Sequence, residues 1–351
     1  MALYDINGKT IQAVSGSAVT SAFLQAVNDG KINLGEPVGA TLSCTGMSDS
    51  WYTNAETAYN LMIAEMENHG NTAIPFFIQT DQHGSSNSPA RWVNNKDGKV
   101  KNINLGDIMY DKFYLADGEK YRKETKRIQN HITVYGNHEA SMGYLMDGDF
   151  VNDYLLTHYF VDTTTAGKKM VNNRGFFVSY DDDFAVKYVV VSPYYMNEDG
   201  TRDGVEIRSD QMVWLLKELS ANDGYDIVIL MHQLWTDTYI HRDGTVQNWQ
   251  DAPPVLENTW KVLKDRRNKR SGTITDSEGV SHSYDFTDCE SRILCSLHGH
   301  SHEELYLCEE GMTTYAANMG CTFGLINRDA NKVTFWVFDS NGCLDPLELT
   351  I

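Results

Sequence analysis

Seven side chains able to bind a metal ion fall in five short segments, and each segment follows a run of residues that reads as a β-strand. Asp81 and His83 follow IPFFIQT, Asp107 follows VKNINL and Gly106, and Asn137 follows HITVY and Gly136, with His138 and Glu139 just beyond. His232 follows DIVILM, and His300 and His302 follow RILCSLH and Gly299. Carboxylate, amide and imidazole groups at strand ends are presented at the rim of a sheet, where open α/β sheets bind ligands. Mixed oxygen and nitrogen donors of this kind suit Mn, Fe, Zn or Co. Asp81 and His83, two residues apart, share one side of an extended segment, as joint ligation requires. Two metals about 3.5–4 Å apart can clamp the attacking and leaving oxygens of a phosphoryl transfer. Asp107, with two oxygens and a formal charge, is the natural bridge between them. A water or hydroxide held between two such cations has its pKa drawn towards neutrality and can attack phosphorus near pH 7. Order and donor set together form a two-metal hydrolase pattern.

The five blocks, read as D-x-H, G-D, G-N-H-[DE], a lone His and G-H-x-H, resemble the signature of the calcineurin-like metallophosphoesterase superfamily. They occur in that order between residues 81 and 302, so the resemblance covers most of the chain. Any one block alone is a weak signal, whereas five in order after strands form a strong one. The resemblance implies a four-layer αββα sandwich of two mixed sheets flanked by helices. It also implies two divalent or mixed-valence transition-metal ions (Mn, Fe or Zn) and hydrolysis of a phosphodiester or phosphomonoester by a metal-bridging hydroxide. Asp81, His83 and His302 would hold one metal with Asp107, and Asn137, His232 and His300 the other with Asp107. His138 would protonate the leaving alkoxide or stabilise the charged transition state. Glu139 is a candidate to orient an imidazole from behind the ligands. Many members carry a second Asp three positions after the G-D aspartate. Here that position is Tyr110, and Asp111 either takes over the orienting of His138 or the role is absent.

Taken alone, most of these residues have a plainer reading. A single His after a strand, such as His232, is more often a satisfied core residue, and Asp107 alone would be a turn residue. His298 precedes G-H-x-H on an apolar strand and reads as structural. Trp235 and Tyr239 could stack a substrate's organic group, with core packing as the rival reading. Ser85, Ser86 and Arg91 could reach a phosphate, although loop polarity explains them equally. His241 and His282 could line a cleft.

The elements that must position these groups follow an α/β rhythm. LYDINGKTIQAV reads as a hairpin turning at Asn7-Gly8, and SAVTSAFLQAVNDG as a short amphipathic helix. Residues 1–37 are thus an N-terminal appendage, with a docking partner of its own as one possibility, ahead of a metallophosphoesterase domain over 38–351. VGATLSCTG is a possible strand, and NAETAYNLMIAEMENHG a helix whose apolar face carries Ala58, Leu61, Met62, Glu65 and Met66. FFVSYDDDFAVKYVVVS gives two strands joined by an Asp-rich turn, and Ser209 can N-cap the helix that leads into DIVILM. An insertion at about 240–288 holds a helix opened by Pro253-Pro254 and a hairpin turning at Ser277–Gly279. From Glu304 onward the pattern alternates like a β-meander, with a turn at Asn341-Gly342.

With 351 residues, 41% of them apolar and 22% charged, the chain can bury a full core. Against 29 basic residues stand 48 acidic ones, a net of −19, which repels polyanions and argues against long nucleic acid as partner. There is neither a secretory signal pattern nor an apolar run long enough for a bilayer, so a cytoplasmic or phage-associated setting is expected. The six cysteines lack C-x-x-C spacing and read as reduced thiols. Two other functions compete with a small-phosphoester hydrolase. One is a nuclease of the same superfamily. The other is a structural component that keeps the fold, because the N-terminal hairpin and the YDF-to-GHSH passage are similar to phosphoesterase proteins of phage-tail or prophage settings. A scaffold freed from catalysis would be expected to lose ligands, and none of the seven is lost.

Overall fold

The structure, a computed structural model, describes residues 3–4, 10–11, 46–69, 72–83, 88–108, 128, 130–138, 169–170, 175–196, 202–249 and 252–351. Strands β1 (Leu3–Tyr4) and β2 (Thr10–Ile11) pair antiparallel, as a hairpin requires. The Asn7-Gly8 turn, the N-terminal helix and nearly all of VGATLSCTG lie outside the described residues. Helix α1 (Asp49–His69) leads into β3 (Ala73–Gln79), α2 (Ser88–Lys96), β4 (Lys101–Asn104) and β5 (His131–Thr133). Next come β6 (Lys169–Met170), β7 (Phe177–Asp181), β8 (Val186–Val190) and the short pair β9 (Tyr194–Met196) and β10 (Arg202–Val205). Helix α3 (Ser209–Ser220) precedes β11 (Asp226–Leu230), β12 (Thr238–His241) and β13 (Val246–Asn248). Helix α4 (Pro254–Arg267) and the hairpin of β14 (Ser271–Thr275) and β15 (Ser281–Asp285) follow. The chain closes with β16 (Ile293–His298), β17 (Leu305–Glu309), β18 (Met312–Ala316), β19 (Cys321–Asn327), β20 (Lys332–Phe338) and β21 (Leu347–Thr350).

Two mixed sheets result. A nine-stranded sheet runs β13-β12-β17-β18-β16-β11-β8-β7-β6, and a six-stranded sheet runs β21-β20-β19-β3-β4-β5. The two-residue period of a strand sends alternate side chains to opposite faces. Ile74, Phe76 and Ile78 of β3 enter the core between the sheets, where Val186, Tyr188 and Val190 of β8 and Val228 and Leu230 of β11 meet them. Ala73 and Phe77 point the other way, onto Trp51, Ala55, Ala58 and Met62 of α1. Ile227, Ile229 and Val189 face outward onto Met212, Leu215 and Leu219 of α3 and Trp260 and Leu263 of α4. The layers are therefore helix, sheet, sheet, helix. Tyr315 of one sheet stacks on Phe335 of the other at 3.7 Å between ring centroids, and the planes are 9° apart.

Several local expectations need correction. The buried stripe of α1 is Trp51, Ala55, Ala58 and Met62, whereas Leu61 is 46% exposed, because the stripe follows an i, i+4, i+7 path that leaves Leu61 on its flank. Ser209 does not cap α3. Its hydroxyl donates to Asp276, and its N–H donates to Glu278 Oε2 at 2.9 Å, so carboxylates from the β14–β15 turn meet the helix N-terminus instead. The C-terminal strands are not one meander: β17 and β18 complete the large sheet, and β19, β20 and β21 cross over to form half of the smaller one. The hairpins at Ser277–Gly279 and Asn341-Gly342 and the helix at Pro254 fall where expected. All five cysteines among the described residues are free thiols, and no helix there is long and apolar enough to cross a membrane.

One polar tether crosses the core between the sheets. Lys101 of β4 is 1% exposed, and its ammonium lies 3.2 Å from Asp181 of β7 and 5.2 Å from the centre of the Tyr188 ring. Burial pushes Lys101 below the usual lysine range, and the Asp181 carboxylate works against that shift. Asp181→Ala would strand a buried cation and is expected to lower stability by about 3–5 kcal/mol. Replacing both partners with apolar residues (Lys101→Met with Asp181→Leu) is expected to be near neutral, because desolvation of the pair is removed along with its attraction. Urea unfolding of the two variants tests this, and a single variant as stable as the double one would refute it.

Candidate metal centre

The parallel strands β3, β4 and β5 of one sheet, and β11 and β16 of the other, each run out into a loop that carries candidate ligands. These loops are locked to one another by backbone hydrogen bonds. Asp81 N–H donates to Gly106 O and His83 N–H to Asp107 O, each at 3.0 Å, so the first two loops run side by side past the strand ends. Gly299 N–H donates to His232 O at 3.2 Å and ties the last two loops together. The sheets meet through His232, whose Nδ1 lies 2.7 Å from Leu105 O. A carbonyl can only accept, so Nδ1 carries the proton and Nε2 is left facing the site.

Three sets of ligand atoms converge: Asp81 with His83 and His302, Asp107 with His232 and His300, and His83 with Asp107 and His138, all within 4.8 Å inside each set. Asn137 joins the second set, with Oδ1 at 3.0 Å from His232 Nε2 and 2.9 Å from His300 Nδ1. His83 Nε2 and His302 Nε2 face each other at 3.2 Å, and His232 Nε2 is 3.2 Å from Asp107 Oδ2. Two donors each about 2.1 Å from one cation stand roughly 3.0–3.4 Å apart, between octahedral and tetrahedral angles. The observed spacings match that range. The donor set is imidazole, carboxylate and amide, so the residues fit transition-metal ions.

Electrostatics reinforce the fit. Burial opposes ionisation of Asp81 and Asp107, yet neighbouring imidazoles and hydrogen bonds hold both carboxyls below their ordinary range, Asp107 well below. Burial also opposes charge on His232, but Asp107 and Asp81 pull it up to about 9. Without a metal His232 would therefore carry a proton on Nε2, in the place where a cation would sit between that imidazole and the two carboxylates.

Backbone conformation marks the same residues. Of the ten non-glycine residues with positive φ among those described, five are candidate ligands: Asp81 (53°), His83 (44°), Asp107 (52°), His300 (71°) and His302 (57°). The left-handed region is sparsely populated by residues with a Cβ and is enriched at functional sites. Glycine is needed where the loops touch. At Gly106 (φ 100°) an added Cβ would stand 2.8 Å from His232 Nδ1, and at Gly299 it would overlap the Thr80 hydroxyl.

Sequence reading missed Thr80. It is fully buried, and its hydroxyl donates to Asp81 Oδ2 at 2.7 Å, where His300 N–H donates as well at 3.0 Å. Both donors occupy Oδ2, and Oδ1 is left with no well-directed hydrogen bond, 3.3 Å from His302 Nε2. Thr80→Val keeps the volume and removes the donor. It is expected to weaken metal binding at the Asp81 set roughly 10–100-fold, as loss of an outer partner does, and Thr80→Ser is expected to restore it. Titration against a chelating dye gives the answer, and a Val variant that binds as tightly as the parent would refute it.

The remaining candidates separate. His138 is half-buried, its N–H donates to Asp107 Oδ1 at 2.8 Å, and its ring lies edge-on to His83 at 4.5 Å. Glu139 and Asp111 lie outside the described residues. Arg91 sits on α2, where its guanidinium reaches back to Ser88 Oγ at 2.8 Å. Trp235 is corrected from a stacking surface to a core residue. It is fully buried and its indole N–H donates to Ser296 Oγ at 2.8 Å, so it has no face left for a substrate. Tyr239 is buried too. His298 is a satisfied core histidine, with Ser296 Oγ and Gln233 O on its two nitrogens, and burial pushes it down to about 3. His282 pairs with Asp276 at 2.6 Å, and His241 lies 3.8 Å from Glu303, next to His302.

No family model matches the chain, and no curated protein matches it either. Among solved structures, one titled as the structure of PhoD overlaps 80% of this chain and 68% of its own at 9% identity, with a TM-score of 0.45. Another, a conserved uncharacterized protein from Streptococcus pneumoniae TIGR4 described as a predicted phosphoesterase, overlaps 80% of this chain and 98% of its own at 10% identity, with a TM-score of 0.33. Both overlaps are weak, and the functional reading rests on the chain's own residues.

Proposed function

We propose that this chain hydrolyses a small phosphoester, monoester or diester, at a centre of two transition-metal ions drawn from Mn, Fe and Zn. The observation that carries the reading is the convergence of Asp81, His83, Asp107, Asn137, His232, His300 and His302, from five loops and two sheets, at ligand-like spacings. Bound there, the ions would supply Lewis acidity towards a phosphoryl group and would acidify water. The chain's part is positioning. Asp107 offers Oδ2 to the side of His232 and holds the His138 backbone N–H with Oδ1, so one carboxylate fixes both the ligand cluster and the candidate acid. His232 is held to a single tautomer by Leu105 O, and its Nε2 is directed inward. The half-buried His138 can hand a proton to a leaving oxygen and take one back from water. Asn137 adds a neutral oxygen donor and so limits the negative charge that binding must offset.

Protein reconstituted with Mn or Zn is expected to hold close to two ions per chain by elemental analysis. It should turn over at least one of p-nitrophenyl phosphate, bis-p-nitrophenyl phosphate, a nucleotide or a glycerophosphodiester. Loaded protein inert towards all four would overturn the reading.

A further inference from the structure

Trp249 stands beside the candidate metal centre and belongs to none of the ligand motifs. The β12–β13 hairpin joins the large sheet by pairing Ile240 with Tyr306 and His241 with Leu305, so it borders the strand that leaves the His300–His302 loop. Just past β13, Trp249 N–H donates to Asp237 O at 2.8 Å, which fixes the backbone there. The half-buried indole has its ring centroid 6.4 Å from that of His300, with the planes 44° apart. It packs against a small cluster of Leu234, Tyr239, Leu305 and Ala316, which holds it in place. A rigid aromatic ring held in this way suits a ligand that brings an apolar face of its own.

We propose that Trp249 forms the wall of a subsite for the alcohol portion of the ester, and that this portion is a planar ring system. This rests on the phosphoester reading above. An indole has no charge with which to hold a phosphoryl dianion, which the ligand cluster would take. Its surface is matched instead by the ring of an aryl or heteroaryl alcohol, or of a nucleoside.

The test uses metal-loaded protein and two non-hydrolysable probes: methylphosphonate and benzylphosphonate. Calorimetric titration of the parent is expected to show benzylphosphonate binding roughly tenfold more tightly than methylphosphonate. Trp249→Ala should abolish that preference while leaving methylphosphonate affinity and metal content unchanged. Trp249→Phe should keep the benzyl preference. Equal loss for methyl and benzyl probes in Trp249→Ala, or no loss for either, would overturn the subsite, as would a parent with no preference among the probes. If the parent binds the aryl probe through Trp249 yet hydrolyses no phosphoester, a ring-binding wall beside the candidate metal centre stands, while its role for an ester's alcohol portion falls with the hydrolase reading.

Discussion

Replacing Asp107 is expected to empty both metal sites together. Its carboxylate lies 3.2 Å from His232 Nε2, converges with His83 and His138, and belongs to two of the three ligand sets. Loss of an outer-shell partner costs roughly 10–100-fold in affinity, and loss of a shared ligand should exceed that at each site. The substitution needs care because Asp107 has a left-handed backbone (φ 52°). Alanine would add strain there, whereas asparagine tolerates that region and keeps the shape without the charge. Asp107→Asn is therefore the cleaner variant, with circular dichroism to confirm its fold. Elemental analysis after dialysis should find neither ion retained, and a folded variant that keeps one tight ion would show that Asp107 is not shared.

His138→Ala should lower turnover roughly 10²–10⁴-fold, the usual contribution of a general acid, with both ions still present. The deficit should shrink for substrates with p-nitrophenolate as leaving group, which needs little protonation. Geometry makes this a demanding test, because His138 also stands within ligand-set distance of His83 and Asp107. If metal content falls in step with rate, His138 is a ligand and the proton-transfer role is wrong.

The strands and the place of the candidate ligands at their ends were legible because each depends on local pattern. Unbroken apolar runs such as IPFFIQT and DIVILM become strands covered on both faces, and a polar group at their end has only the sheet rim to occupy. What stayed hidden depends on partners distant in sequence. Leu61 and Met62 are equally apolar, and only contact with β3 and β19 decides which of them is buried. Trp235 and Trp249 both follow His232, and only the fold sinks the first into the core and leaves the second beside His300. Thr80 reads as the last residue of a strand, and its bond to Asp81 emerges only once the side-chain rotamers are set. The division of the C-terminal strands between two sheets likewise follows no local cue, since antiparallel neighbours look alike in either sheet.

The left-handed candidate ligands bear on how such a chain would age. Each of Asp81, His83, Asp107, His300 and His302 holds a conformation that costs most L-residues about 1–2 kcal/mol and aspartate less. Summed over the five, that is a sizeable share of the stability of an ordinary domain, about 5–15 kcal/mol. A lineage that used this fold only as a scaffold would gain robustness by drifting to glycine or asparagine at these places, one substitution at a time. This chain carries neither glycine nor asparagine at any of the five. Among its descendants, or in a library selected for heat resistance alone, these residues should be the first to change, so their persistence in any variant serves as a record that the site is still in use.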